Sequence, residues 1–358
     1  MKKFCAILLF TILVHTNVNA QSYEDSMLNF IAKNPERASL HLVVNDTIVA
    51  ALRENRKMPL ASTMKLIVAL EFAKQSAAGL VDTAKMVPLR DLDRYYIPLT
   101  DGNAHTQWLR YEKLRDHVKN DSIALIHVAR GMMMFSSNAN TDYLLQILGV
   151  ENVQSNVSLL GLKQHDAIFP PVASLFLYQN PKNKKESDIL RGIKSLSDND
   201  YVKYILTIQK ALAHSDELKK TFRLQDLTVP IQKMWSDRLP SSTAREYTQL
   251  ANILNNRKYF SAATYTIFSR VTETIMENPA NAGWLKHAGM KGGSTAWVLT
   301  KCIYATDAND NRIELAYFFN NLDTAEQTRL HKWMNDFERA VIANALFRNK
   351  LAVVLKKH

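Results

Sequence analysis

Strand-forming patterns sit at the two ends of this chain and helical patterns fill its middle, and that distribution limits the fold more than any other feature. Ser39–Val44 and Ile48–Leu52 read as two strands joined at Asn45-Asp46, a hairpin signal. Strand character returns only at Leu285–Met290, Trp297–Thr306 and Arg312–Asn320, with 307–311 as the turn between the last two. Helical patterns occupy about 63–258, broken at Gly79, at 88–110 and at 166–182. A short amphipathic helix over 23–33 precedes the first strand, and a helical pattern over 323–346 closes the chain. No internal repeat is present. The expected fold is α+β, with one antiparallel sheet built from both ends, flanked by helices, and a mainly helical subdomain inserted.

Composition sets the class and the N-terminus sets the compartment. With 358 residues and 47% hydrophobic content, the chain can bury a substantial core and is not a disordered tail. Lys2 and Lys3 precede the apolar run Phe4–Val14, and Val18-Asn19-Ala20 ends the segment. This pattern predicts a secretory signal peptide over 1–20 and export to the periplasm or beyond the cell. The run is too short for a mature membrane span, and no later stretch is long enough, so no stable membrane insertion is expected. Cleavage removes two lysines, taking the formal charge from +11 to +11 − 2 = +9. It also removes Cys5 and leaves Cys302 alone, excluding an intramolecular disulfide; Cys302 reads as a small buried hydrophobe on a strand. The basic run Lys182–Lys185 reads as a solvated loop beside Pro181. No binding motif accompanies it, so nucleic acid is not an expected partner.

Three short segments carry groups suited to nucleophilic chemistry. Ser62-Thr63-Met64-Lys65 is the only Ser-x-x-Lys in the chain and sits where a loop turns into a helix. Positions i and i+3 share a helix face, so the serine hydroxyl and lysine amine can meet. A lysine of lowered pKa can then take the proton that keeps serine a weak nucleophile. Phe135-Ser136-Ser137-Asn138 lies between the helical runs Asp121–Met134 and Thr141–Leu148, and Lys291-Gly292-Gly293-Ser294 follows the strand ending at Met290. A second serine, an amide and a second lysine could relay a proton, orient an acyl amide and hold a carboxylate. The paired glycines let a substrate lie close along a strand edge. Each segment also has an ordinary reading: serines cap helices, asparagine closes turns and lysines cover surfaces.

In this order the three segments resemble the serine penicillin-recognising family, in its class A β-lactamase-like branch: Ser-x-x-Lys, then Ser-x-Asn, then Lys-Thr/Ser-Gly on a strand. The resemblance covers essentially the whole chain after residue 20. It implies Ser62 as the acylated nucleophile, Lys65 as its proton acceptor, and Ser136 as the shuttle to the leaving group. It implies that Lys291 supports Ser136 and attracts a substrate carboxylate, and that Asn138, Gly293 and Ser294 bind substrate. The backbone N–H groups of Ser62 and Ser294 would form the oxyanion hole. Thr243 and Glu246 match a helix start of the family and also spell a capping box. Ser197-Asp198-Asn199 spells Ser-Asp-Asn more literally than the Ser136 segment, but its context is that of a helix cap.

The sequence also departs from that pattern. Class A enzymes deacylate with a loop glutamate between the second and third motifs. Here His165–Leu177 contains none, and Asp166 is the nearest carboxylate and the one candidate base. Gly292 stands where a hydroxyl residue is usual, and Ser137 replaces an aspartate. Two insertions are expected to shape the cleft. Residues 90–111, with Tyr95, Tyr96, Asp101, Gly102, His105 and Trp108, form either an aromatic wall at the site's mouth or a packed surface loop. Residues 178–240 are basic and helical, with no assigned role. The expected organisation is a β-lactamase/transpeptidase-like domain over 21–358, its α/β part 21–66 plus 261–358 and its helical part 67–260. The expected activity is serine hydrolysis of β-lactams or related amides and esters. A D,D-peptidase or esterase acting on peptidoglycan-derived or small acyl substrates, and a non-catalytic binder, are the alternatives. A monomer is expected. No metal or organic cofactor is expected, since no His/Cys cluster has ligand spacing.

Overall fold

The computed structural model describes residues 22–180 and 182–357, so the expected signal peptide lies outside the described residues. The elements that position the cleft are, in chain order, α1 (Tyr23–Lys33), β1 (Ala38–Val44), β2 (Thr47–Leu52), α2 (Lys65–Ala77), α3 (Ala104–Leu114), α4 (Leu125–Met134), α5 (Asn138–Leu148), α6 (Pro171–Leu175), α7 (Val229–Asp237), α8 (Ala244–Asn256), β3 (Leu285–Ser294), β4 (Leu299–Asp307), β5 (Arg312–Phe319), α9 (Thr324–Ala343) and α10 (Ala345–Leu355). The five strands form one antiparallel sheet in the order β2-β1-β5-β4-β3. Residues near 40 therefore pair with residues near 317, as Leu40 does with Tyr317. Asn45 and Asp46 take φ of 50° and 63°, the left-handed pair that a tight hairpin needs.

Strand periodicity divides the core into two layers. On β5, Leu315, Tyr317 and Phe319 pack with Met27 of α1, Phe337 of α9 and Leu351 of α10. The alternating residues Ala316 and Phe318 face Tyr247, Leu250 and Leu254 of α8, on the side that carries the helical region. Cys302 is fully buried there, its thiol donating to the Tyr247 carbonyl at 3.3 Å. Helix α2 is buried continuously from Lys65 to Ala73, as a helix with apolar residues all round must be. Its one acid, Glu71, is satisfied by Lys74 at 3.0 Å, Gln75 at 2.9 Å and Asn156 at 2.8 Å. A third apolar cluster, around Tyr178, Tyr201 and Ile205, packs the second insertion against Tyr95, Ala139 and Phe169.

The local differences from expectation have local causes. Residues 104–114, which overlap the expected 88–110 break, are helical because Ala104, His105, Trp108 and Glu112 form one buried face at helical spacing. A small sheet of Met86–Pro88, Ser122–Ala124 and Val118–Lys119 interrupts the helical region. The closing helix is two helices, because the Asn344 side chain accepts the Leu346 and Phe347 amides and starts α10 afresh. The third motif lies on β3 itself, which runs on to Ser294 rather than ending at Met290. Thr243 caps α8, but the Glu246 carboxylate goes to Ser242 and to the Gln164 amide, so the capping box is only half made. Among the described residues no helix is long and apolar enough to cross a membrane.

Candidate active site

Ser62 lies in a 3-10 turn, Ala61–Met64, that runs directly into α2. In a 3-10 turn residues i and i+3 eclipse, which stacks Ser62 and Lys65 on one face. The turn is entered through Ala61 at φ 46°, a left-handed geometry unfavourable for alanine. Ser62 is half-buried, whereas Lys65 is 1% exposed. The Lys65 ammonium donates to the Ser136 carbonyl at 2.7 Å and to Asn138 Oδ1 at 2.8 Å, with Ser136 Oγ at 3.5 Å. No hydrogen bond joins it to Ser62 Oγ in this resting arrangement. Burial pulls Lys65 down to about 7, against the opposing charges of Asp101 and Asp142, so near neutral pH much of it is a free amine.

The second motif turns between α4 and α5. Ser137 Oγ accepts the Asn140 amide at 3.2 Å and caps α5, which starts at Asn138. Ser136, just before it, is held at φ 71°, a strained conformation for a non-glycine residue. The strain aims its hydroxyl at Lys291 Nζ, which donates to it at 3.0 Å and to the Gly292 carbonyl at 2.7 Å. Lys291 is 5% exposed, and burial first, then the charges of Lys65 and Lys301, hold it well below the ordinary lysine range. Two buried lysines thus converge on one serine hydroxyl.

Strand β3 forms the opposite wall. A Cβ on Gly293 would lie 2.4 Å from the Ser62 amide nitrogen and 2.7 Å from the Leu60 carbonyl, so only glycine lets the strand touch the nucleophile turn. Thr300 Oγ1 locks this contact, donating to Leu60 O at 2.8 Å and meeting Thr63 Oγ1 at 2.7 Å. Between the walls opens a cleft of about 930 Å³ lined by Ser62, Lys65, Ser136, Asn138, Gly293 and Ser294 among others. Six of the seven residues singled out in the sequence face this cleft, and Lys291 stands directly behind it.

The remaining expectations fare differently. The aromatic wall does not exist as imagined: Tyr95 and Trp108 are 2% and 0% exposed, because their rings fill the cores under the insertion. His105 is buried with Nδ1 2.9 Å from Ser137 Oγ, and burial lowers it to about 4, so it is neutral and structural. From 90–111, Leu99, Asp101 and Gly102 reach the cleft instead. Asp166 is no water-activating base: it pairs with Lys57 and accepts the Ser241 amide at 3.0 Å, and it does not line the cleft. Asp142 accepts the Val172 and Ala173 amides at 3.2 and 2.9 Å, pinning α6 at the cleft's edge. Ser197 accepts the Asp200 amide at 3.1 Å and caps helix Asp198–His214, as its context foretold. Two contributions were not assigned from the sequence. Asp101 is the carboxylate that reaches the cleft; it accepts the His105 amide at 3.0 Å and leaves Oδ1 buried without a partner. The second insertion supplies Leu224, Leu227 and Trp235 as an apolar wall, Trp235 being braced by donation to Ser174 Oγ at 2.7 Å.

This combination of antiparallel sheet, helical insert and Ser/Lys/Ser/Lys cleft defines the serine β-lactamase type of protein. The family model described as "Beta-lactamase enzyme family" matches residues 22–265, more than half of the chain, and the chain belongs to that family. Similar solved structures include a β-lactamase from Sphaerobacter thermophilus, at 14% identity and TM-score 0.54, covering 88% of this chain and 96% of that one. The TLA-3 extended-spectrum β-lactamase is similar at 13% identity and TM-score 0.52, with 89% and 99% covered. A PBP-A variant, in an acyl-enzyme complex with penicillin G, is similar at 15% identity and TM-score 0.50, with 88% and 96% covered. No curated protein sequence matches significantly.

Proposed function

We propose that this chain is an exported serine hydrolase that works through an acyl-Ser62 intermediate on β-lactams or related amides and esters. The observation that carries the reading is the convergence of two buried lysines on Ser136 Oγ, beside a serine at the i−3 position of Lys65. In the proposed reaction the Lys65 amine accepts the Ser62 proton as Ser62 Oγ attacks the acyl carbon. The Ser62 and Ser294 amides stabilise the oxyanion. Ser136 then protonates the leaving nitrogen or oxygen, taking its replacement proton from the Lys65 ammonium formed in the first step, with Lys291 holding its hydroxyl, while Asn138 orients the acyl amide. Export rests on the signal-peptide pattern of residues 1–20.

A second reading, a D,D-peptidase or esterase that β-lactams acylate and inhibit, is favoured by the acids around the cleft. Both oxygens of Asp142 are held by amides and Asp166 is tied to Lys57, so neither is free to activate a deacylating water, and Asp101 Oδ1 is left as the unpartnered carboxylate oxygen at the cleft. An acyl-enzyme without a positioned base persists. Intact-mass spectrometry after mixing with penicillin, with Ser62→Ala as control, separates the readings. A transient adduct with consumed penicillin supports a β-lactamase, and a persistent one supports the peptidase or esterase. Absence of any adduct with penicillin and with a general serine acylating probe leaves only a non-catalytic binder.

A further inference from the structure

Away from the cleft, the fold gathers three side chains that the sequence scatters over residues 112–127. Glu112, His117 and His127 each offer one donor atom, and these atoms lie within 4.8 Å of one another. Glu112 Oε2 is 2.6 Å from His117 Nδ1 and 3.2 Å from His127 Nδ1. We propose that these three residues form a divalent-metal site of the zinc type, which staples α3 to α4 behind the second motif.

The backbone builds this site deliberately. Helix α3 ends in a paired return: the Asp116 amide bonds to the Lys113 carbonyl at 3.1 Å and the His117 amide to the Glu112 carbonyl at 3.1 Å, with Asp116 at φ 58°. This is the Schellman arrangement, in which the residues at the Glu112 and His117 positions usually make an apolar contact. Here that contact is a carboxylate against an imidazole. The hairpin of Val118–Lys119 with Ser122–Ala124 then returns the chain so that His127, on α4, stacks on His117 with ring centroids 4.0 Å apart.

The chemistry of the set matches a metal. Glu112 is buried, and its Oε2 faces both imidazoles. Both imidazoles present Nδ1 to the same carboxylate oxygen, so three donor atoms converge on one point. His127 Nδ1 is buried and makes no well-formed hydrogen bond among the described residues. Zinc bonds of about 2.0–2.1 Å at tetrahedral angles hold donors about 3.3 Å apart, so the 3.2 Å pair already fits. The shorter pair must open by about 0.7 Å, within reach of side-chain rotation at the part-exposed His117. Two imidazoles and one carboxylate leave the fourth position to water. A metal there would fix α3 to α4, whose far end delivers Ser136, while His105 of α3 touches Ser137.

The test uses untagged protein spanning 21–358, freed of metal with chelator and titrated with zinc by calorimetry. Parallel Co2+ titrations are read in the visible spectrum, and His117→Ala and His127→Gln are the variants. The expected result is one equivalent bound, tetrahedral Co2+ bands, and a rise in melting temperature of about 5 °C at a hundredfold excess over Kd. All three readouts should be weakened about 100-fold in affinity or lost in both variants. His117 is part-exposed, so His117→Ala folds whether or not Glu112 is essential for stability. Absence of stoichiometric binding to the unmodified protein, or binding equally tight in both variants, overturns the proposal.

Discussion

Replacing Gly293 by alanine should disable acylation while leaving a folded protein. The added methyl would stand 2.4 Å from Ser62 N, 2.7 Å from Leu60 O and 2.9 Å from Thr300 Oγ1, all held by backbone or by a locked hydroxyl. Relief to an ordinary contact requires the β3 wall and the nucleophile turn to separate by about 1 Å. A displacement of that size takes one amide out of the roughly 2.7–3.1 Å range in which it stabilises an oxyanion. Loss of one such donor costs about 2.7–4 kcal/mol, a factor of about 10²–10³ in acylation. Overpacking should also cost about 1–3 kcal/mol of stability, visible as a lower melting temperature. Gly292→Ala is the internal control: its methyl meets only the flexible Lys301 side chain at 3.2 Å and the Thr300 carbonyl at 3.4 Å. That variant should acylate within about threefold of the native protein. The assay is the rate of penicillin adduct formation by intact mass, with melting curves on the same samples. If folded Gly293→Ala acylates as fast as Gly292→Ala, the oxyanion-hole reasoning is wrong.

Acylation should also depend on pH through Lys65. Burial lowers this lysine to about 7, so the reactive amine accumulates and the rate climbs as pH rises through about 7. Because the Asp101 charge raises Lys65, Asp101→Asn should move that midpoint down; an upward or absent shift, measured from pH 5 to 9, counts against the scheme. Ser136→Gly should separate stability from activity. Relief of the φ 71° strain stabilises by about 1 kcal/mol, while loss of the relay hydroxyl lowers acylation at least about 100-fold, as melting and adduct kinetics will show. Asp142 is raised to about 7 by burial, against the Ala173 and Val172 amides and Lys65. A carboxyl with a raised folded-state pKa contributes stability that is full below pH about 4 and lost as pH rises through about 7. Asp142→Asn keeps an acceptor for the amides and should abolish that decline, on the order of 2–4 kcal/mol; an equal fall in urea-unfolding free energy between pH 4.5 and pH 8 in the native protein and the variant would refute this.

Much of the fold was legible because its signals are local. The hairpin at Asn45-Asp46, the three late strands and helix Tyr23–Lys33 are written in side-chain period and turn chemistry, and all five stand within a few residues of where the sequence puts them. Helix α3 was missed because polar and aromatic residues on its exposed face hide the buried stripe of Ala104, His105, Trp108 and Glu112. The three motifs were legible because nucleophile chemistry demands particular residues at fixed local spacings. The part that Asp101 takes in the cleft, Trp235 and the Glu112–His117–His127 cluster were not, since nothing in their spacing marks them.

The sequence by itself determined the α+β class, the two-ended sheet and the three motifs brought to the cleft, because hydrophobic period and the i, i+3 relation of Ser62 and Lys65 act over a few residues. Tertiary structure alone decided what those residues experience. Lys65 is pulled down to about 7 because α2 is buried on every side, and Ser136 receives two lysines because the α5 start and β3 meet there, although Ser136 and Lys291 stand 155 positions apart. Protonation, strain and the reach of one wall to another depend on desolvation and on distances set across the whole chain. Those quantities have no local signature to read.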